Sequence, residues 1–501
     1  MTKEHWLIRR LYEVFTLHNN DLCMVVEEKS YTYADITRRI AAIQHVVKKA
    51  TSNSLIGIAA VDSPDTYAAI LACWFLGRGY VPVHPRYPVE RNLKNIEETG
   101  IDLVISPTQN WKKFMPVIDS LTVICSDTLE DVTEPPVLQN ISDENVSCVL
   151  FTSGSTGQPK AIPLSLKNLA CTFDSFLALG YDLTKNDRFL QMYEFTFDQS
   201  IMSFLPTFYF GASMYTVSFD KIRYLEALKI MQQYTVTFTI LVPSTIALLR
   251  PFFSKISLPD VKYNYLGGEA LPLELAEAWS KCVPNALITN VYAPSEATML
   301  CMGYELRRHP EKNHSHNGIV PFGEPWKNTT AIVINENLEM VGEGITGEIC
   351  FAGDHVMTGY LNQPEANKKA LFEKEVNGQL RTFYRSGDMV FLKEGIYYTC
   401  GRVDLQVKIE GHKVELEEIE FLARKILETP DVYALTGLTT KGTHEIYLVV
   451  KATDFSEDVL REKLNQHLAP YMMPSKIKRI NQLIYNNNGK VDRKALKSLF
   501  Q

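Results

Sequence analysis

The stretch Leu150-Phe151-Thr152-Ser153-Gly154-Ser155-Thr156-Gly157-Gln158-Pro159-Lys160 decides how this chain is read. A β-type run over 147–152 passes directly into a loop of hydroxyls and glycines that a lysine closes. Gly154 and Gly157 let the backbone approach an anion and turn its N–H groups inward. Thr152, Ser153, Ser155 and Thr156 add hydroxyl donors, and Lys160 supplies a charge suited to a β/γ-phosphate. The spacing is not the GxxxxGK[ST] of a P-loop. The plain alternative for such a string taken alone is a flexible Ser/Gly loop.

Around it, short β-branched runs alternate with helical patterns. Residues 55–61 and 122–125 read as buried strands, with an apolar-faced helix over 66–77 between them. A helix over 167–179, a strand over 235–241 and a helix over 244–253 follow. This alternation predicts an α/β fold whose large N-terminal domain consists of stacked, largely parallel sheets covered by helices. Near residue 400 the pattern changes. Runs at 344–351 and 395–400 read as strands with tight Gly turns. A small α+β C-terminal domain follows, with helices at 416–427 and 456–468 and a strand at 445–450. The expected domains are 1–403 and 404–501.

Composition narrows the function. The 501 residues are 46% hydrophobic and 22% charged, with net charge −7. That balance suits a protein with a buried core and argues against a general nucleic-acid partner. Nine scattered cysteines without a CxxC pair read as reduced core thiols. Residues 1–20 form an amphipathic surface helix, not a signal peptide. The most apolar stretch, 201–217, is interrupted by Pro206 and Gly211, so it reads as a buried helix–turn–strand and not a membrane span. A cytoplasmic protein with no membrane partner is expected. His309, His314 and His316 share a loop but lack the ligand spacing of a zinc site.

Further motifs occur in order along the chain: Tyr31-Thr32-Tyr33, Gly79-Tyr80-Val81-Pro82-Val83, Phe197-Asp198-Gln199-Ser200 and Asn290-Val291-Tyr292-Ala293-Pro294-Ser295-Glu296. Gly347-Glu348 with Gly359-Tyr360, Tyr384-Arg385-Ser386-Gly387-Asp388, Gly401-Arg402-x-Asp404-x-Gln406-Val407-Lys408-Ile409-x-Gly411 and Asn488-Gly489-Lys490-Val491-Asp492-Arg493 complete the set. Together with the 150–160 loop, this series resembles the adenylate-forming superfamily of acyl-CoA synthetases, luciferases and the adenylation domains of peptide synthetases. In character the chain is similar to freestanding amino-acid adenylating enzymes such as D-alanine:carrier-protein ligase.

The resemblance implies an enzyme that uses ATP and Mg²⁺. Lys490 is placed like the family's catalytic lysine, with Lys160 and Glu296 beside it, Glu296 holding the metal. The ATP site would comprise the 152–157 loop, Gly268, Glu269, Asn290, Val291, Tyr292, Ala293, Pro294 and Ser295, with Asp388 and Arg402 at the ribose. Asp404 stands at the hinge about which the C-terminal domain, a mobile lid, rotates between half-reactions. Asp198 would pair with the α-ammonium of an amino acid; its plain reading is a helix N-cap. The other pocket positions implied are Gln199, Met202, Ile240, Tyr265, Gly267, Val291, Met299 and Leu300, with Lys490. None of them but the lysine is charged, which suits a small or medium neutral side chain.

The chain ends eight residues after Arg493, so the expected partner is a separate phosphopantetheinyl carrier protein. The basic tail Lys476, Lys478, Arg479, Lys490, Arg493, Lys494 and Lys497 is either its docking face or a solvated surface. Four positions depart from the family pattern: Ala161, Ala293, Ser295 and His84. Ala293 matters most, because a glycine position can require positive φ. Two other readings stay open: a CoA ligase for an amine-free acid, which has no need of Asp198, and an inactive binding homologue.

Overall fold

The computed structural model describes the chain apart from residues 1–4, 19, 109–120, 131, 133, 153–158, 219, 308–311, 452–454, 485–490 and 501. The β-branched runs build two large sheets. One has six strands in the order Thr122–Cys125, Leu103–Ser106, Leu55–Ala59, Gly79–Val83, Val146–Thr152, Lys160–Ser165. All pair parallel except the last two, where the phosphate-loop stretch folds back on itself. The other has nine strands. Its centre, from Leu22–Val26 through Ser213–Thr216, Arg188–Gln191, Phe238–Leu241 and Tyr263–Gly267 to Leu287–Tyr292, is parallel. Antiparallel strands close both edges.

Two sequence expectations need correction. Thr122–Cys125 is a strand, but it is only partly buried. It lies last in its sheet with a single neighbour, and an edge strand is covered on one flank only. The helix expected at 66–77 spans Pro64–Phe75, and all twelve of its residues are buried, not one face of them. A helix apolar all round belongs between layers. The 201–217 stretch is, as read, a buried helix Gln199–Phe210, a left-handed Gly211 and the strand Ser213–Thr216. Among the described residues, no helix is long and apolar enough to cross a membrane.

A third sheet is antiparallel throughout and carries the long strand Gln379–Lys393, paired with Gly347–Ala352, Leu371–Val376 and Ile396–Arg402. Beyond it the hairpin Gln406–Ile409 and His412–Glu415 leads into the helix Leu416–Leu427 and a three-stranded sheet. This segment has an apolar cluster of its own, including Val414, Ile419, Ala423, Leu448, Leu464 and Met472. It is fastened to the rest by a buried ion pair, Arg91 Nη1 to Glu418 Oε1 at 3.2 Å, and by His467 on Glu90 at 2.8 Å.

Candidate active site

In open parallel sheets, ligands gather beyond the carboxyl ends of the strands. Here those ends belong to Phe238–Leu241, Tyr263–Gly267 and Leu287–Tyr292. Register sets Ile240 beside Tyr265 and Gly267 beside Val291. Because side chains alternate, all four positions share one face. A Cβ on Gly267 would stand 2.5 Å from the Val291 carbonyl oxygen, so only glycine fits. The helix Gln199–Phe210 brings Gln199 and Met202 to the same region, and Met299 and Leu300 follow the Glu296 turn. All these side chains are buried. Thr298 and Met299 hold φ of 51° and 69°, a costly backbone for residues with a Cβ. The Thr298 hydroxyl bonds the His355 carbonyl at 2.6 Å and its own carbonyl accepts from Thr172, which pins the turn.

Asp198 stands at the head of that helix. It occupies the N-cap position and is buried, but its side chain makes no capping hydrogen bond. Burial lifts its carboxyl to about 6, while the Ser295 hydroxyl and the Gln199 N–H pull the other way. The Gln199 amide oxygen is buried and without a partner.

The other predicted residues form a polar wall. Tyr292 stacks on Phe322 with ring centres 3.9 Å apart and donates its hydroxyl to Asp388 Oδ2 at 2.6 Å. Arg402 Nη1 meets the same oxygen at 2.9 Å, and its Nε and Nη2 hold Asp404 at 2.7 and 2.8 Å. Burial works against the Arg402 charge, but Asp404 and Asp388 outweigh it and raise its pKa. Gly387, at φ +75°, has Arg402 Nη2 2.5 Å from where a Cβ would be, which explains the glycine of the 384–388 motif. Asn290 donates to the Pro321 carbonyl at 2.8 Å. Ala293 is not among the positive-φ residues, so the loss of glycine there carries no backbone penalty.

Glu296 is fully buried. Its Oε1 accepts from the Tyr360 hydroxyl and from Lys413 Nζ, each at 2.9 Å, while Oε2 is buried without a partner. Burial opposes its charge, but the Lys413 ammonium and the Tyr360 hydroxyl hold the carboxyl at about 2. A carboxylate with one spare oxygen fits a Mg²⁺ that draws its remaining ligands from phosphate and water. Among the described residues there is no cluster of three or more His, Cys, Asp or Glu for a transition metal. His314 bonds the Tyr398 hydroxyl at 2.6 Å, and His309 lies outside the described residues.

Lys160 opens its strand opposite Thr152, with Nζ 5.3 Å from the centre of the Tyr360 ring. The Thr152 hydroxyl is buried and unpartnered. Ser153, Gly154, Ser155, Thr156, Gly157 and Lys490 lie outside the described residues.

The 406–415 hairpin enters this region between two cavities, a placement that the sequence reading missed. One cavity, of about 740 Å³, is lined by Lys160, Tyr360, Tyr384, Arg402, Lys413 and Glu415. The other, of about 540 Å³, is lined by Tyr87, Phe197, Arg223, Val242, His412 and Tyr471. Glu269 and Gly268, expected in the ATP site, meet the hairpin here. Glu269 Oε1 accepts from the Gly411 N–H at 2.9 Å as well as from the Ser244 hydroxyl. Lys408 Nζ lies 5.5 Å from the Tyr292 ring centre, and burial lowers its pKa. Tyr360, Lys408 and Gly411 stand inside quoted motifs, and Lys413 just beyond one. Phe322 carried no motif. In the basic tail, Arg493 pairs with Glu420 at 2.7 Å and Lys476 with Glu445 at 3.5 Å, so part of its charge is already matched. His84 lies 3.2 Å from Glu194.

Parallel sheets ending in a buried carboxylate and a tyrosine–aspartate–arginine wall, with a small C-terminal segment reaching in, define an adenylate-forming ligase. The model of the family described as AMP-binding enzyme matches residues 13–361, and the chain belongs to that family. The D-alanine--D-alanyl carrier protein ligase of Bacillus licheniformis is 28% identical over 516 residues, covering 98% of this chain and 99% of that one. A plipastatin synthase protein of Bacillus subtilis is 28% identical over 482 residues, covering 94% of this chain and only 13% of that much longer one. Among solved structures, the Vibrio cholerae adenylation domain AlmE in complex with glycyl-adenosine-5'-phosphate aligns with TM-score 0.86 at 25% identity, covering 99% and 97% of the two chains.

Proposed function

We propose that this ligase activates the carboxylate of a small or medium neutral α-amino acid as its aminoacyl-AMP, releasing pyrophosphate, and passes it to the phosphopantetheine thiol of a separate carrier protein. The observation that carries this reading is Asp198: a buried carboxylate whose side chain makes no capping hydrogen bond, at the head of a helix whose following residues Ile201 and Met202 are buried and apolar. Such a group calls for a cationic partner, and the α-ammonium of an amino acid is one. The carrier protein in the name of the similar D-alanine ligase supports the second half.

In this reading ATP lies against Tyr292, Asp388 and Arg402, with its phosphates toward the 152–157 loop and Lys160. Mg²⁺, held by Glu296, supplies neutralising charge to the phosphates when bound. Lys490 stabilises charge that grows between carboxylate and α-phosphorus. Residues 1–403 form the core and 404–501 the lid, turning about Asp404. The hairpin between the two cavities supports assigning the 540 Å³ cavity, with Phe197 and His412 on its walls, to the thiol. No disulfide joins the described cysteines, which agrees with the expected work in the cytoplasm.

The test is loading of a phosphopantetheinylated carrier, read as a mass increase equal to one aminoacyl group with ATP present. Loading with an amine-free acid in place of every amino acid, or transfer to CoA alone, would assign the chain to the CoA ligases instead.

A further inference from the structure

The two oxygens of Glu296 are used unequally. Oε1 has two donors, Tyr360 and Lys413, while Oε2 has none and is sealed from solvent. Tyr360 comes from the core, but Lys413 comes from the hairpin, 117 residues away in sequence. The hairpin is also held by the Gly411 N–H on Glu269 and by His412, which stacks on Tyr471 at 4.0 Å. A Cβ on Gly411 would stand 2.8 Å from Val242, so the hairpin tip sits hard against the core.

We propose that Lys413 and a divalent cation are alternative occupants of Glu296, so that the hairpin seats only when the metal has left. This rests on the reading of Glu296 as the metal carboxylate. Glu296 is one negative charge in a water-poor pocket, and one ammonium already balances it. A second cation on the same carboxylate would stand within a few ångströms of Lys413, where like charges repel strongly. With the hairpin withdrawn, Glu296 is free to take a metal and its polyphosphate. With the metal gone, Lys413 restores the balance and spares the core an unpaired buried carboxylate. Lys413 is thus a positioning residue that orders the two half-reactions.

Mn²⁺ is the probe. Its binding to the full-length protein with α,β-methylene-ATP is measured by loss of the free-ion paramagnetic resonance signal. Amide exchange of residues 406–415 is followed by mass spectrometry in the same samples. In the native protein, added Mn²⁺ raises exchange across the hairpin. Lys413→Met binds Mn²⁺ about tenfold tighter, and its hairpin exchange no longer responds to Mn²⁺. Lys413→Arg, which keeps the charge, behaves as the native protein. Equal Mn²⁺ affinity in Lys413→Met, or a native hairpin that stays protected with Mn²⁺ bound, overturns the inference. Glu296→Gln separates the two levels. If it loses Mn²⁺ while Lys413→Met is unchanged, only the competition fails. If it binds Mn²⁺ like the native protein, the reading of Glu296 fails and the inference falls with it.

Discussion

Tyr292 and Asp388 meet across two sheets: the phenol of the first donates to Oδ2 of the second at 2.6 Å, and Arg402 reaches the same oxygen from the neighbouring strand. The contact joins the end of a parallel strand to the antiparallel sheet, so it is both a structural seam and a wall of the proposed nucleotide site. Asp388→Asn keeps the shape but removes the charge that two donors share. A buried donor left poorly matched costs about 1–3 kcal/mol. A lower melting temperature is expected, together with loss of most of the stabilisation that AMP confers. An AMP-induced shift equal to that of the native protein would contradict the assignment.

Asp198 gives a pH signature. Its carboxyl is raised from 3.8 to about 6 in the folded protein, and the proposed ammonium contact needs the charged form. Below about pH 6, kcat/KM for the amino acid should therefore fall roughly tenfold per pH unit, since that profile reports the free enzyme. Asp198→Asn should be weak and flat over the same range. The stability linkage has the opposite sense. Between about 4 and 6 the folded state holds the proton more tightly than the unfolded one, so this group's contribution to stability is present at low pH and is lost as pH rises through about 6. A profile equally steep in Asp198→Asn would sink the assignment.

The proposed substrate site makes a size prediction. Gly267→Ala forces a methyl group onto Val291, and overpacking of this kind costs about 1–3 kcal/mol, so amino-acid activation should disappear. Tyr265→Ala removes a fully buried ring beside Ile240. It should shift the preferred substrate toward larger side chains at a cost of about 3–5 kcal/mol in stability. Preference is read from pyrophosphate exchange over a series of aliphatic and aromatic amino acids. An unchanged order in Tyr265→Ala would remove this residue from the pocket.

Arg91 and Glu418 join the core to the C-terminal segment through a buried contact. Breaking a buried pair from one side costs about 3–5 kcal/mol, because the other charge is left uncompensated. Glu418→Ala should therefore weaken the docked arrangement and slow transfer to the thiol, while adenylate formation, measured by exchange, stays near the native rate. Equal loss of both half-reactions would mean the pair matters only for folding.

Local sequence carried much of this. The strand into the 150–160 loop, the helix that begins after Asp198 and the apolar character of Ile240, Tyr265 and Val291 were readable because each depends on neighbours within a few positions. The exposure of 122–125 and the full burial of 64–75 were not, since both depend on which layer or edge the topology assigns. The least legible part was the hairpin. Lys413 on Glu296 and Gly411 on Glu269 span 117 and 142 residues, and no periodicity reports how two folded segments dock. Asp198 shows the reverse case, in which a helix-start aspartate is an ordinary cap by pattern and only its missing cap bond sets it apart.

The decisive measurement is amino-acid-dependent exchange of pyrophosphate into ATP, run over all proteinogenic amino acids, D-alanine and several amine-free acids. Strong exchange with one small or medium neutral amino acid is expected, abolished in Asp198→Ala. Exchange driven only by amine-free acids, and undiminished in Asp198→Ala, would contradict it.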